Sequence, residues 1–316
     1  MSENPNGTGG MVSAASGRLA GVLLILLSAV GFGAMPIFAR SAYADGANLY
    51  GVLIARFWAA GLLLLALAAW RGAAWPAWGK IAQLAALGGI GYAGMSYCYF
   101  AALNYLPAAL VALLLYTYPI IVTVLAVLFL HEKVTFLQCC ALALCACGTL
   151  LVIGADGTSG AALSPRGIFL ALGAALIYAG YITLGARITR NIDPLRATTV
   201  ICLAAAGAFT LIALARAQMD LPTRFPATLS GWSGLLGVAI LSTVVAVMAF
   251  FGGLKRLGAA QAAMLSTLEP VVTLALAAWL LSESLTAWQT LGGATTLDGV
   301  LWLASLGQHG QGGEQA

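Results

Sequence analysis

The chain has 316 residues, of which 61% are hydrophobic and only 8% charged, and its mean hydropathy is +0.97. Soluble domains sit near half apolar and a quarter charged, so this composition excludes an ordinary soluble fold and describes a polytopic membrane protein. The formal net charge of +4 is spread through loops rather than gathered in a stripe, which excludes a nucleic-acid partner.

The polar start, MSENPNGTGG within residues 1–17, has no apolar period to bury and reads as a mobile tail. Ten apolar stretches follow, at about 19–39, 47–70, 80–102, 107–130, 134–154, 166–187, 195–215, 231–253, 258–281 and 285–305. Each has the length that crosses a bilayer as an α-helix, so the expected fold is an all-α membrane protein of ten transmembrane helices. Arg18 and the AYA at 42–44 resemble parts of a signal peptide. The first apolar run is too long for one and reads as an uncleaved span. GQHGQGGEQA, within 306–316, reads as a second mobile tail.

The loop cations set the expected orientation. With the N-terminus cytoplasmic, Arg18, Arg71, Lys80, Lys133, Arg187, Arg190, Arg196, Lys255 and Arg256 lie inside and Arg40, Arg166, Arg216 and Arg224 outside, nine against four. Both termini are therefore expected in the cytoplasm, most simply across a bacterial cytoplasmic membrane.

A gapless shift of 151 residues lays 106–138 on 257–289, matching Leu106 with Leu257, Pro119 with Pro270, Glu132 with Glu283, Thr135 with Thr286 and Gln138 with Gln289. That is a duplication. Five-helix units over 18–154 and 166–305 flank a turn-rich linker, 155–165. An odd number of spans per unit makes the expected arrangement an inverted 5+5 repeat, as in many secondary transporters.

Within the spans, a few residues carry chemistry. Pro119 and Pro270 each remove a backbone donor near mid-span, and matched interruptions in two halves point to a central site; the plain alternative is a packing kink whose freed carbonyl finds another partner. Glu269, directly before Pro270, is an ionisable group in an apolar run. Embedding a charge there costs about 3 kcal/mol on insertion scales, so the carboxylate faces a cavity, pairs with a cation or takes a proton. Arg56 in the second span is the available cation, and a structural Arg56–Glu269 pair is the competing reading. The repeat mate of Glu269 is the uncharged Tyr118. Tyrosines recur on other spans, among them Tyr97, Tyr116, Tyr178 and Tyr181; they suit a polar cavity, although interfacial belts also use tyrosine. The expected cavity is lined by the first, third, fourth, sixth, eighth and ninth helices. Asp298 is a weaker second candidate. Glu132 and Glu283, three residues before Thr135 and Thr286, read as helix caps.

The stretches YPIIVTVLAVLFLHEKVT and STVVAVMAFFGGLKRLGAAQAAMLSTLEPVVTLALAAWLLSESLT, with Pro and Glu thirteen residues apart in each half and the pair Arg56–Phe57, resemble the two EamA repeats of the drug/metabolite transporter superfamily. The likeness runs from about 18 to 305. The first helix, AVGFGAMPIFAR, departs from the Trp-Gly opening common in the family, and Ser282-Glu283-Ser284 replaces a Gly-Glu turn. The resemblance implies a ten-helix carrier that moves small metabolites, often outward, without ATP.

Other classes fit less well. The six cysteines all lie in apolar runs, where they act as small hydrophobes. His131-Glu132 lacks a second histidine at Thr135, and no Gly-x-Ser-x-Gly is present, so no enzyme, metal or cofactor is expected. The expected partners are a small-molecule substrate and the lipid bilayer, with protons a candidate coupling ion and a homodimer a candidate assembly. The alternative is a channel or structural scaffold holding a buried Arg–Glu pair, and saturable, concentrative transport separates it from a carrier.

Overall fold

A computed structural model describes residues 7–72, 75–102, 105–106, 111, 114–154, 164–280 and 286–309. Most of the expected linker, the end of the C-terminal tail and Glu283 lie outside the described residues. Among the described residues all regular structure is helical. A backbone in hydrocarbon has no water to bond, so each apolar run closes its own hydrogen bonds as a helix.

The first span is α1 (Gly7–Gly33) and α2 (Met35–Ala44), interrupted at Ala34; α1 begins well ahead of the residue-19 start expected for that span. The second is α3 (Leu49–Trp70). The third joins α4 (Trp78–Ala86), a π-helical turn (Leu87–Tyr92) and α5 (Ala93–Ala102). The described remainder of the first half is α6 (Tyr118–Leu130) and α7 (Phe136–Gly154). The second half contains α8 (Pro165–Thr189), α9 (Pro194–Ala217), α10 (Leu229–Ala239), a second π turn (Ile240–Val245), α11 (Ala246–Leu257), α12 (Ala259–Leu265), a 3-10 turn (Ser266–Leu268), α13 (Glu269–Leu280) and α14 (Ala287–His309). Every expected span coincides with helix among the described residues, and six helical stretches are each long and apolar enough to cross a membrane.

Local chemistry sets the helix starts. Ser164 and Asp193 accept from the backbone N–H of Gly167 and Leu195, each just before a proline in the first turn. Thr135 and Gln138 cap α7 reciprocally, backbone N–H to side-chain oxygen at 2.9 and 3.3 Å, and their repeat mates Thr286 and Gln289 do the same for α14 at 2.9 and 3.2 Å.

Glu132 does not cap the helix that follows it. Its carboxylate accepts from the N–H groups of Ala259 (2.8 Å) and Ala260 (3.1 Å), at the start of α12 in the other half. Gly258 makes room: it has φ +84°, and a Cβ there would lie 2.8 Å from Glu132 Oε1. Glu132→Ala is expected to cost about 2–3 kcal/mol, the loss of a charge-assisted double cap. Thermal unfolding in detergent checks this, and an unchanged midpoint would remove the cap from the stability of the fold.

The halves interdigitate. The first span packs on the eighth, α1 against α11, and its counterpart pairs the sixth with the third, α8 against α5; the second packs on the seventh, the fourth on the ninth and the fifth on the tenth. Exchanging the two halves maps this pairing onto itself. The α7–α14 contact carries the same relation at atomic detail. A Cβ on Gly148 would strike Thr296, and one on Gly299 would strike Cys145 Sγ at 2.6 Å. Gly148 and Gly299, like Cys145 and Thr296, are repeat mates under the 151-residue shift, so each helix uses a glycine to admit the other.

Candidate functional site

Helix interruptions gather around one region. The fourth span breaks at Tyr116–Thr117 and restarts as α6, and the ninth breaks at the 3-10 turn and restarts as α13. Pro119 and Pro270 therefore sit in the first turn of new helices rather than inside continuous ones. A missing N–H costs nothing there, because first-turn donors have no intrahelical acceptor. Hydroxyls take up carbonyls beside the breaks: Thr117 bonds Leu114 O, Thr123 bonds Pro119 O and Thr267 bonds Met264 O, each at 2.7 Å. The break in the first span abuts the one in the ninth, with Thr273 Oγ1 donating to Gly33 O at 2.9 Å.

Between these breaks the aromatic side chains form a continuous stack. Phe209 lies parallel to Phe57 (5.9 Å between centroids), Phe57 meets Tyr92 edge-on (5.3 Å), and Tyr92 stacks on Tyr181 (5.2 Å). Tyr181 stacks on Tyr178 (6.0 Å), Tyr178 meets Tyr118 (4.6 Å) and Tyr118 meets Tyr116 (6.3 Å). These separations are those of favourable ring pairs. The rings come from the second, third, fourth, sixth and seventh spans, and Tyr92, Tyr118, Tyr178 and Tyr181 are all buried. Tyr116 is half-buried beside them. Tyr97 lies apart, 45% exposed, and Asp298 is on an exposed face of α14. The centre is thus largely filled by rings, with Tyr116 and Glu269 only partly buried at its margin.

Arg56 stands at one end of this stack, 3% exposed. Its Nε donates to Thr243 Oγ1 (2.6 Å), its Nη2 to Tyr92 OH (2.8 Å) and its Nη1 to Met35 Sδ (3.2 Å), while the guanidinium carbon lies 4.9 Å from the Phe57 ring centroid. Thr243 Oγ1 in turn donates to Val238 O (2.9 Å), five residues back across the π turn, which aims its lone pairs at the guanidinium. Tyr92 and Thr243 are repeat mates under the 151-residue shift, and each belongs to one of the two π turns. Sequence reasoning did not find this clamp. The signal was present in the offset itself, which sets Tyr92 on Thr243, but an aromatic aligned with a hydroxyl residue does not score as a match.

Glu269 occupies the other end, as the first residue of α13, where the helix N-terminus favours negative charge. Tyr92, Tyr99, Tyr116, Tyr118 and Tyr178 share its electrostatic surroundings. Its Oε1 is buried and accepts no hydrogen bond, and among the described residues no lysine or arginine pairs with it. Tyr118 OH and Ser266 Oγ approach each other nearby, yet neither closes a hydrogen bond. Arg56 and Glu269 are therefore brought to one aromatic stack without being brought to each other. No group of three or more His, Cys, Asp or Glu that could hold a metal occurs among the described residues.

The division of the chain into two halves has its counterpart in known proteins. The EamA-like transporter family matches residues 19–154 and 165–305, one match per half. The chain belongs to the EamA-like transporter family. The transporter is 26% identical over 226 residues to the uncharacterized transporter YyaM of Bacillus subtilis (strain 168), covering 68% of this chain and 70% of that one. It is 30% identical over 126 residues to the uncharacterized transporter YcbK of the same organism, covering 40% of each chain. A solved crystal structure superimposes with a TM-score of 0.77 at 22% identity, over 92% of the transporter and 98% of its own chain. That last likeness establishes the fold.

Proposed function

We propose that the transporter is a secondary carrier that moves small metabolites, amino acids or similar, outward across a bacterial cytoplasmic membrane by alternating access, with Glu269 exchanging protons during the cycle. The observation that carries this reading is Glu269 Oε1, a buried acceptor left open at a helix break among tyrosine hydroxyls. An ionisable group in a span with no protein partner is suited to meet a mobile one, a proton or the ammonium of a substrate. Arg56, tied to Thr243 and Tyr92, holds the opposite charge at the far end of the stack, which suits a substrate carrying both charges.

Alternating access is supported by the exchange symmetry of helix pairing and by the matched breaks, which let one half rock against the other about a fixed centre. Five spans per half imply opposite insertion of the two halves and both termini on one side, and the loop cations, nine against four, favour the cytoplasm for that side. Reporter tags at residues 5 and 312 are expected to read cytoplasmic; an external reading from either end would overturn this orientation, and opposite readings from the two ends would overturn the inverted arrangement itself. The scaffold reading loses its main support, because the buried Arg–Glu pair it relies on is not formed.

The deciding experiment is flux in vesicles reconstituted with the transporter, across a panel of amino acids, nucleobases and cationic dyes, with and without a pH gradient. Saturable, gradient-driven accumulation of a panel member is expected. Flux that never saturates and never concentrates would make the protein a channel.

A further inference from the structure

A groove of about 410 Å³ lies between the third and sixth spans, outside the aromatic stack. Its walls are apolar, with Leu87 and Ile90 on one side and Ile177 and Leu184 on the other, and Ile90 is 74% exposed at its rim. Two features shape it. The π turn at Leu87–Tyr92 forms part of the third-span wall, and Gly180 leaves open space where any side chain would stand, since a Cβ there meets nothing within 4 Å. The floor is Tyr181, 4% exposed, whose ring is 3.4 Å from the Cβ position of Gly91 and stacks against Tyr92 and Tyr178. The groove thus reaches the edge of the aromatic stack from the side.

Its occupant follows from its position and its mouth. The groove lies within two membrane-spanning segments and opens on the surface that meets the bilayer, so what covers it has acyl-chain chemistry. The apolar lining ends at Gln83, which accepts from Lys80 Nζ at 3.2 Å, and on the opposite wall Arg187 follows Leu184 by three residues. Lys80 and Arg187 are both exposed. Two cations at one end of an apolar groove match the phosphate of a lipid whose chain lies along it.

We infer that this groove binds an anionic bilayer phospholipid, its acyl chain packed against Tyr181 and its phosphate held by Lys80 and Arg187. The site is independent of the transport reading. A chain seated there braces the ring that links Tyr92 to Tyr178, so lipid occupancy bears on the same stack that joins Arg56 to Glu269.

The test uses the full chain in vesicles of phosphatidylglycerol bearing a photoactivatable diazirine in the acyl chain, with adducts mapped by mass spectrometry. Phe169, 78% exposed on the same helix and outside the groove lining, reports contact with bulk lipid. Adducts are expected on Tyr181 despite its burial, and Gly180→Leu is expected to lower them about tenfold with Phe169 labelling unchanged. If Gly180→Leu fails to reach the membrane, Ile90→Trp fills the groove from the facing wall and is read the same way. Replacing the probe lipid by its phosphatidylcholine analogue, or Lys80 and Arg187 together by alanine, is expected to lower Tyr181 adducts selectively. Labelled Phe169 with unlabelled Tyr181 would overturn the site. Tyr181 labelling indifferent to headgroup and to both cations would overturn the anionic lipid and leave only bulk chains.

Discussion

Glu269→Gln is expected to leave the transporter folded and to uncouple it from protons. The stability half of this result follows from the open carboxylate: no cation pairs with Glu269 among the described residues, so a neutral amide strands no charge. The thermal midpoint should move by no more than a surface substitution moves it, within about 0.5 kcal/mol. The functional half follows from what one proton is worth. A gradient of one pH unit supplies about 1.4 kcal/mol per proton, enough for about tenfold accumulation of a coupled substrate. In Glu269→Gln vesicles that accumulation should fall to the level reached without a gradient, while substrate exchange at equal pH persists. A variant that still concentrates substrate with the same pH profile would take Glu269 out of the cycle. Poor folding rescued by a second change at Arg56 would mean that the two residues pair in another conformation.

The second large effect is expected at Arg56. Its three hydrogen bonds tie the second span to the first, third and eighth, so its loss loosens the point where both π turns meet. Arg56→Lys keeps the charge but loses the planar fork that reaches Thr243 and Tyr92 together, and should cost about 2–4 kcal/mol. Tyr92→Phe removes one charge-assisted bond and should cost about 1.5–3 kcal/mol. Combining Arg56→Met with Tyr92→Phe should cost less than the sum, by a coupling energy of about 0.5–3 kcal/mol. Denaturation in detergent of the parent, Arg56→Met, Tyr92→Phe and the double variant measures this, and strict additivity would show that Arg56 and Tyr92 are not coupled. Substrate flux should fall in each variant even where folding is preserved.

Much of this architecture is legible in the residues. Ten apolar runs and a 151-residue shift that superimposes Pro119 on Pro270 are enough for helix count and duplication, because bilayer thickness and backbone satisfaction leave few alternatives. What stays hidden is where a helix stops being regular. The prolines read as lesions inside long helices, whereas two short turns ahead of them make each a helix start. The π turns at Leu87–Tyr92 and Ile240–Val245 have no local signature, since they follow from how Tyr92 and Thr243 reach Arg56 rather than from any run of residues. Side-chain direction is hidden as well. Tyr97 and Tyr92 stand five residues apart on one span, and only Tyr92 faces the stack, because five residues of regular α-helix turn the second side chain about 140° away from the first.

The cap made by Glu132 has a consequence for how the chain is made. Its acceptor oxygens meet donors 127 and 128 residues later. At a synthesis rate of about 5–20 residues per second, those donors leave the ribosome about 6–25 s after Glu132 does. For that interval the first half sits in the membrane with a carboxylate whose final partners do not yet exist. The emerging ninth span then supplies both N–H groups at once, so closure of the two halves is timed by translation, and a chain truncated before Ala259 never reaches it.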